Sequence, residues 1–207
     1  MDASARRDHW ERVYGTKPAD ALSWYQPEPT TSLLLLHRAG LTRASCLVDV
    51  GGGDSRLVDR LLEEGLTCLA VLDVSESALT RARARLGQQA TAVRWLAVDV
   101  TGCWSAAPMD FWHDRAVFHF LTEREDRIRY IAHVRDTLKP GGTIVIATFA
   151  PGGPERCSGL PVARYSPGGL VQELGPGFRL IESVSEDHRT PSGIVQPFVY
   201  SVIRFSE

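Results

Sequence analysis

The stretch Leu47-Val48-Asp49-Val50-Gly51-Gly52-Gly53-Asp54-Ser55 decides how this chain folds. A short apolar strand ends in an acid, breaks on three glycines, and gives way to an amphipathic helix carrying Leu57, Val58, Leu61 and Leu62. Glycine has no Cβ, so the backbone can turn sharply there and approach a ligand closely. A second apolar strand, Leu69-Ala70-Val71-Leu72, ends in Asp73, twenty residues after Gly53. A carboxylate at that place can accept hydrogen bonds from two ribose hydroxyls. Together these parts make a pocket for a nucleoside-bearing cofactor.

Working outward, strands and helices alternate, which predicts an α/β fold: a doubly wound, mostly parallel sheet with helices on both faces. A leading segment, residues 8–27, carries Trp10, Tyr14, Trp24 and Tyr25. A helix is expected from Thr30, as its cap, to Ala39, stopped by Gly40. Strand Cys46–Val50 leads into a helix over 55–64. Strand 67–73 leads into a helix capped by Ser75 and ended by Gly87. Strand 92–98 runs into Asp99-Val100, and a short strand covers 110–113. Thr122 and Glu125 have the spacing of a capping box, and Lys139-Pro140-Gly141-Gly142 stops the helix that follows. Residues 143–149 read as a central strand, 150–165 as a Gly/Pro-rich loop, and Ser166-Pro167 as a helix start. Strands 179–184 and 197–205 close the chain as an antiparallel hairpin, seven strands in all. No linker divides the 207 residues, so one domain is expected.

Composition narrows the function classes. A formal charge of −2 indicates no nucleic-acid footprint. Lys17 and Lys139 are the only lysines, leaving little for Schiff-base chemistry. The start, Met1 to Asp8, is polar with no apolar run behind it, and the longest leucine run, Leu33–Leu36, is far below a membrane span. A cytoplasmic protein is expected. Cys46, Cys68, Cys103 and Cys157 contain no Cys-x-x-Cys pair and read as reduced thiols, two of them packed in or beside strands. A thiol site built from Cys103 and Cys157 in rim loops stays open; no metal ligand set is expected.

A dinucleotide fold needs Gly-x-Gly-x-x-Gly, but after Gly51 and Gly53 the third position is Arg56, too large for close helix–strand packing. A Gly-Lys-Ser/Thr phosphate loop is absent. What remains is Asp-x-Gly-x-Gly, whose glycines suit a compact amino-acid tail, as in S-adenosylmethionine. On these residues the chain resembles the class I S-adenosylmethionine-dependent methyltransferases. Asp49 to Asp54 matches their first motif, Asp73 their ribose acid, and Val98-Asp99-Val100 their adenine motif; Leu138 to Gly142 matches the turn before the fifth strand. The resemblance implies strand order 3-2-1-4-5-7-6, the last strand antiparallel. His9-Trp10-Glu11, Ser23 to Gln26 and Trp112 to Ala116 are similar to a group of small bacterial methyltransferases. The Trp-Tyr pair and the residues after strand four are also similar to seven-strand protein-lysine methyltransferases, except that their Asp-Lys-Gly reads Asp114-Arg115-Ala116 here.

The resemblance also implies roles. Gly51, Gly52 and Gly53 turn under the methionine moiety, and Asp49 supports the loop or the ammonium through water. Asp73 takes the ribose diol, Asp99 accepts from the adenine amino group, and Val100 donates its N–H to the ring. Ser55, Arg56, Val74, Ser75 and Arg115 complete the cofactor lining with Asp114. Trp24 and Tyr25 are expected to fold over the cofactor as a lid, since π faces attract a sulfonium, or to pack an N-terminal arm against the sheet. Asp114 and His119 are the candidate catalytic pair, Asp114 positioning the acceptor and His119 taking its proton; His119 also sits in an apolar run where a core histidine is common. The loop Cys157 to Tyr165 is the expected acceptor wall. The expected reaction is in-line methyl transfer to an O, N or S nucleophile on a small molecule, releasing S-adenosylhomocysteine. A protein-lysine acceptor and a binding module without turnover are the alternatives.

Overall fold

The computed structural model describes residues 1–206. Its helices are α1 (Ala3–Thr16), α2 (Thr30–Arg38), α3 (Leu57–Glu63), α4 (Glu76–Leu86), α5 (Arg124–Thr137) and α6 (Pro167–Leu174). The strands are β1 (Cys46–Val50), β2 (Cys68–Asp73), β3 (Val93–Ala97), β4 (Met109–Arg115), β5 (Leu138–Phe149), β6 (Arg156–Cys157), β7 (Leu160–Pro161), β8 (Phe178–Arg189) and β9 (Val195–Phe205). Seven of them form one sheet in the order β3-β2-β1-β4-β5-β9-β8, with β9 antiparallel to both neighbours. Apart from the two-residue hairpin β6–β7, this is the expected topology.

Side chains alternate across a strand, so each strand feeds two cores. Leu47, Leu69, Val71 and Val145 pack against Leu35 and Leu36 of α2 and Leu57 and Leu61 of α3. Val48, Val50, Trp112 and Ile146 pack on the other face against Tyr130 and Val134 of α5 and Leu170 and Leu174 of α6. The polar ends of β1, β2 and β3 then emerge together at one edge of the sheet, where a doubly wound fold binds its ligand.

Several local expectations are corrected. α1 was not foreseen; Asp2 caps it, accepting from the Ala5 N–H at 2.8 Å. Pro29, not Thr30, stands at the start of α2, without a side-chain cap. The Thr122–Glu125 capping box does not form, because α5 begins at Arg124; Arg127 instead holds this turn by donating to the Leu121 and Thr122 carbonyls at 3.0 and 2.8 Å. β5 begins at Leu138 and absorbs the Lys-Pro-Gly-Gly turn through an irregular pairing at Met109 and Phe111. Ser75 and Ser166 cap α4 and α6 as expected, accepting from Ala78 and Gly169. Cys46 and Cys68 are not free thiols. They face each other in the register of β1 and β2, Cα atoms 4.6 Å apart, and are joined as a disulfide. No helix among the described residues is long and apolar enough to cross a membrane.

Candidate active site

The turn after β1 is built on positive φ angles, +63° at Gly51 and +43° at Gly53. A Cβ at Gly51 would collide with Val117 Cγ2, and one at Gly53 would lie 2.6 Å from the Tyr14 hydroxyl and 2.8 Å from Asp73 Oδ2. Only glycine fits either place. Behind the turn, Asp49 is buried with Oδ1 2.7 Å from His113 Nδ1, and His113 Nε2 lies 2.9 Å from Ser32 Oγ. These contacts fix the carboxylate's orientation, while its Oδ2 is buried without a hydrogen-bond partner.

Asp73 ends β2, and its Oδ1 accepts the Ser75 N–H at 2.8 Å. Burial, with the Asp49 and Glu11 carboxylates nearby, pushes its carboxyl up to about 7. Asp99 follows β3; its Oδ1 accepts from the Thr101 N–H and hydroxyl, both at 2.8 Å. Arg6 of α1 donates to both Asp99 oxygens at 3.0 Å and to Asp126 at 2.7 Å. Three acids at the ends of three adjacent parallel strands thus line one edge of the sheet.

Two clefts open there. The first is lined by Arg6, Trp10, Tyr14, Trp24, Gly51, Asp73, Val74, Asp99, Val100, Arg115, Ala116, Phe120, Cys157, Gln196 and Phe198, among others. The second is lined by Trp24, Tyr25, Gln26, Ser32, Asp49, Gly51, Gly52, Ser55, Arg56, His113 and Arg115, among others. Trp24, Gly51 and Arg115 belong to both. Their roof is the leading segment: the Trp24 ring lies 5.6 Å from Trp10 and 5.8 Å from Tyr14, and Trp10 lies 5.0 Å from Phe120. Arg115 ties this roof to the sheet, donating to the Trp24 carbonyl and the Tyr200 hydroxyl, each at 2.9 Å. Tyr14 is buried among carboxylates, which with desolvation hold its phenol well above the ordinary value.

The candidate catalytic pair is corrected. Asp114 is fully buried and accepts from the Val117 N–H (2.9 Å), the Phe118 N–H (3.1 Å) and the Tyr130 hydroxyl (2.6 Å). It lines neither cleft, as acceptor-positioning group or as cofactor ligand. The cause is strand alternation: Trp112 and Asp114 face α5, while His113 and Arg115 face the clefts. His119 is fully buried beside Phe120 and Phe149, ring centroids 4.6 and 4.8 Å away, and it lines neither cleft. Burial and the nearby Arg115 charge pull its imidazole down to about 3, so it stays neutral and takes no proton near pH 7. Ser75 is spent on capping α4 and also lies outside both linings. Cys157 reaches the first cleft; Cys103 is exposed elsewhere, so the two thiols form no site.

Arg6, Gln196 and Phe198 were not legible as cleft residues. Asp2 as a helix cap could have located Arg6; nothing in the local sequence marks the other two. Ala116, in the first cleft, holds φ +69°, a left-handed conformation that costs a non-glycine residue about 1–2 kcal/mol. Glycine relieves that strain but adds unfolded-state entropy, a loss of about 0.4–1 kcal/mol. Ala116→Gly should therefore stabilise by up to about 1 kcal/mol in urea denaturation; a destabilised variant would contradict the backbone assignment.

Residues 48–144 match the family model for a methyltransferase domain. A curated relative, the eEF1A lysine and N-terminal methyltransferase of Danio rerio, is 26% identical over 147 residues, 69% of this chain. The chain spans about a fifth (21%) of that relative's length. The Burkholderia thailandensis 1,6-didemethyltoxoflavin-N1-methyltransferase, solved with bound 1,6-didemethyltoxoflavin and S-adenosylhomocysteine, superposes with a TM-score of 0.70 at 20% identity, covering 99% of this chain and 85% of that one. The N-methyltransferase NodS of Bradyrhizobium japonicum, solved with S-adenosylhomocysteine, gives 0.71 at 18% identity, covering 97% and 100%. By strand order and by superposition this chain has the fold of these methyltransferases, and its residues 48–144 carry the match to the methyltransferase domain model.

Proposed function

We propose that this chain is an S-adenosylmethionine-dependent methyltransferase acting on a small-molecule acceptor. The observation that carries the reading is the buried, unpartnered Asp49 Oδ2 beside the glycine turn, in line with Asp73 and Asp99. A buried carboxylate oxygen without a donor is costly, and an ammonium group, directly or through water, would satisfy it. Asp73 Oδ2 accepts the ribose diol, Asp99 the adenine amino protons, and the Val100 N–H faces the ring. Ser55, Arg56 and Tyr25 enclose the amino-acid tail, with Gly51, Gly52 and Gly53 beneath it, and Trp24 roofs the centre.

Bound S-adenosylmethionine supplies a sulfonium methyl group, released as S-adenosylhomocysteine once an acceptor lone pair attacks in line. The chain's own residues align the acceptor and exclude water, and alignment of this kind supplies on the order of 7–11 kcal/mol in model reactions. No histidine or carboxylate among the described residues lines the acceptor end of the first cleft. The acceptor therefore reaches the site as a neutral or anionic nucleophile and gives any proton to water.

A lysine acceptor is suggested by the name of the Danio rerio relative alone. Calorimetry with S-adenosylmethionine, S-adenosylhomocysteine and NADH tests the cofactor. Turnover on thiols, amines, hydroxylated aromatics and lysate proteins tests the acceptor. Heat with NADH and none with the methyl donor overturns the reading; tight binding without any turnover favours a binding module.

A further inference from the structure

The sheet order divides the first cleft into two ends. Asp73, which ends β2, and Asp99, just after β3, lie at the adenosyl end. Arg115, Cys157, Gln196 and Phe198, from β4, β6 and β9, lie at the other. Among the described residues Arg115 is the only charged side chain at that second end, and its side chain is 10% exposed. Its Nη2 makes no hydrogen bond. The nearest carboxylate, Glu186, stands 3.9 Å from Nη2, lies outside the cleft lining, and accepts the Gln26 amide at 3.1 Å. Burial pushes the Cys157 thiol up and the His119 imidazole down, and the Arg115 charge reaches both, favouring the deprotonated form of each. Gln196 is 9% exposed, lines the same end, and its side-chain amide has no partner among the described residues. The walls here are aromatic: Phe120 and Phe198, with Trp10 and Trp24 above. The guanidinium lies 4.9 Å from the Phe198 ring centroid and covers that face.

We infer that this end of the cleft takes a flat aromatic acceptor carrying a carboxylate or similar oxygen edge, held by Arg115 and Gln196, and turns away an ammonium such as a lysine side chain. The aromatic walls supply area and stacking without selecting a charge sign at the edge. The sign is selected by the Arg115 cation, whose Nη2 is without a hydrogen bond and whose neighbouring carboxylate, Glu186, lies outside the cleft lining. A charged amine would leave its hydration shell to meet like charge, whereas a carboxylate would satisfy donors that are now idle. The inference rests on the cofactor reading above, because it assigns the opposite end to the adenosyl group.

The test uses the full chain saturated with S-adenosylhomocysteine and three probes of one shape: 2-naphthoate, 2-naphthamide and 2-naphthylmethylammonium. Naphthoate is expected to bind about tenfold more tightly than the ammonium, with the amide between them. Arg115→Gln is expected to erase that ranking, with naphthoate losing at least about tenfold more affinity than S-adenosylhomocysteine does. Gln196→Leu, which removes no charge and serves should the first variant not fold, is expected to weaken naphthoate and naphthamide and leave the cofactor product unaffected. An ammonium probe bound as tightly as naphthoate overturns the inference. So does Arg115→Gln losing S-adenosylhomocysteine about as much as naphthoate, since the guanidinium would then serve the amino-acid tail. Failure of the wild type to bind S-adenosylhomocysteine overturns the cofactor reading itself, and this assignment with it.

Discussion

Asp73→Ala is expected to weaken S-adenosylhomocysteine binding by about a hundredfold or more. Two hydroxyl donors on one ionised carboxylate are worth about 1.5–3 kcal/mol each, and every 1.4 kcal/mol is about tenfold in affinity. The same side chain makes binding pH-dependent. Its carboxyl is pushed up to about 7 by burial, so below that pH the ligand-free protein holds a proton that ribose binding displaces. Affinity should fall by up to about tenfold per unit below pH 7 and level off above about pH 8. For folding, a raised carboxyl adds stability that is fully present below its unfolded value of about 4 and is lost as pH rises through about 7. The ligand-free protein is thus less favoured at pH 8 than its other groups would make it, and the thermal shift produced by S-adenosylhomocysteine should grow between pH 6 and 8. Calorimetry across that range checks both; wild-type affinity that is flat with pH, or unchanged in Asp73→Ala, removes the ribose assignment.

Asp114→Ala is expected to cost about 3–5 kcal/mol of stability, because it strips the acceptor from the buried Tyr130 hydroxyl and Phe118 N–H and from the partly buried Val117 N–H. The loss should propagate to Trp112, whose indole N–H donates to the Tyr130 oxygen at 2.8 Å. Urea denaturation reads the effect directly. A variant that folds as well as the wild type yet turns over slowly would restore Asp114 to the chemistry and overturn its structural role. Asp114→Asn is a milder form of the same experiment: it keeps the shape but turns amide protons toward groups that are already donors.

The contrast between these two acids shows what could be read along the chain. Asp73 was legible because its signal is local: an apolar run that ends in an acid, twenty residues after a glycine turn. The same holds for Asp49, Asp99 and the caps at Ser75 and Ser166, where the physics lies within a few residues. The burial of Asp114 was not legible because adjacent residues of a strand point to opposite faces, and which face meets α5 depends on elements far away; nor was that of His119, because its turn is closed over by Phe149 from a distant strand. The disulfide between Cys46 and Cys68 likewise needs the register of two parallel strands, which no spacing of cysteines reveals.

By itself, then, the order of amino acids determined the alternating strands and helices, the glycine turn, and the acids that close three successive strands, since each follows from backbone freedom and short-range hydrophobic period. Tertiary structure alone decided the far end of the first cleft. Arg115, Cys157, Gln196 and Phe198 come from β4, β6 and β9, and Trp10 and Trp24 from the leading segment. They meet only because the antiparallel strand β9 inserts beside β5 and α1 lies across the edge of the sheet, and contacts between distant segments leave no pattern in any one of them.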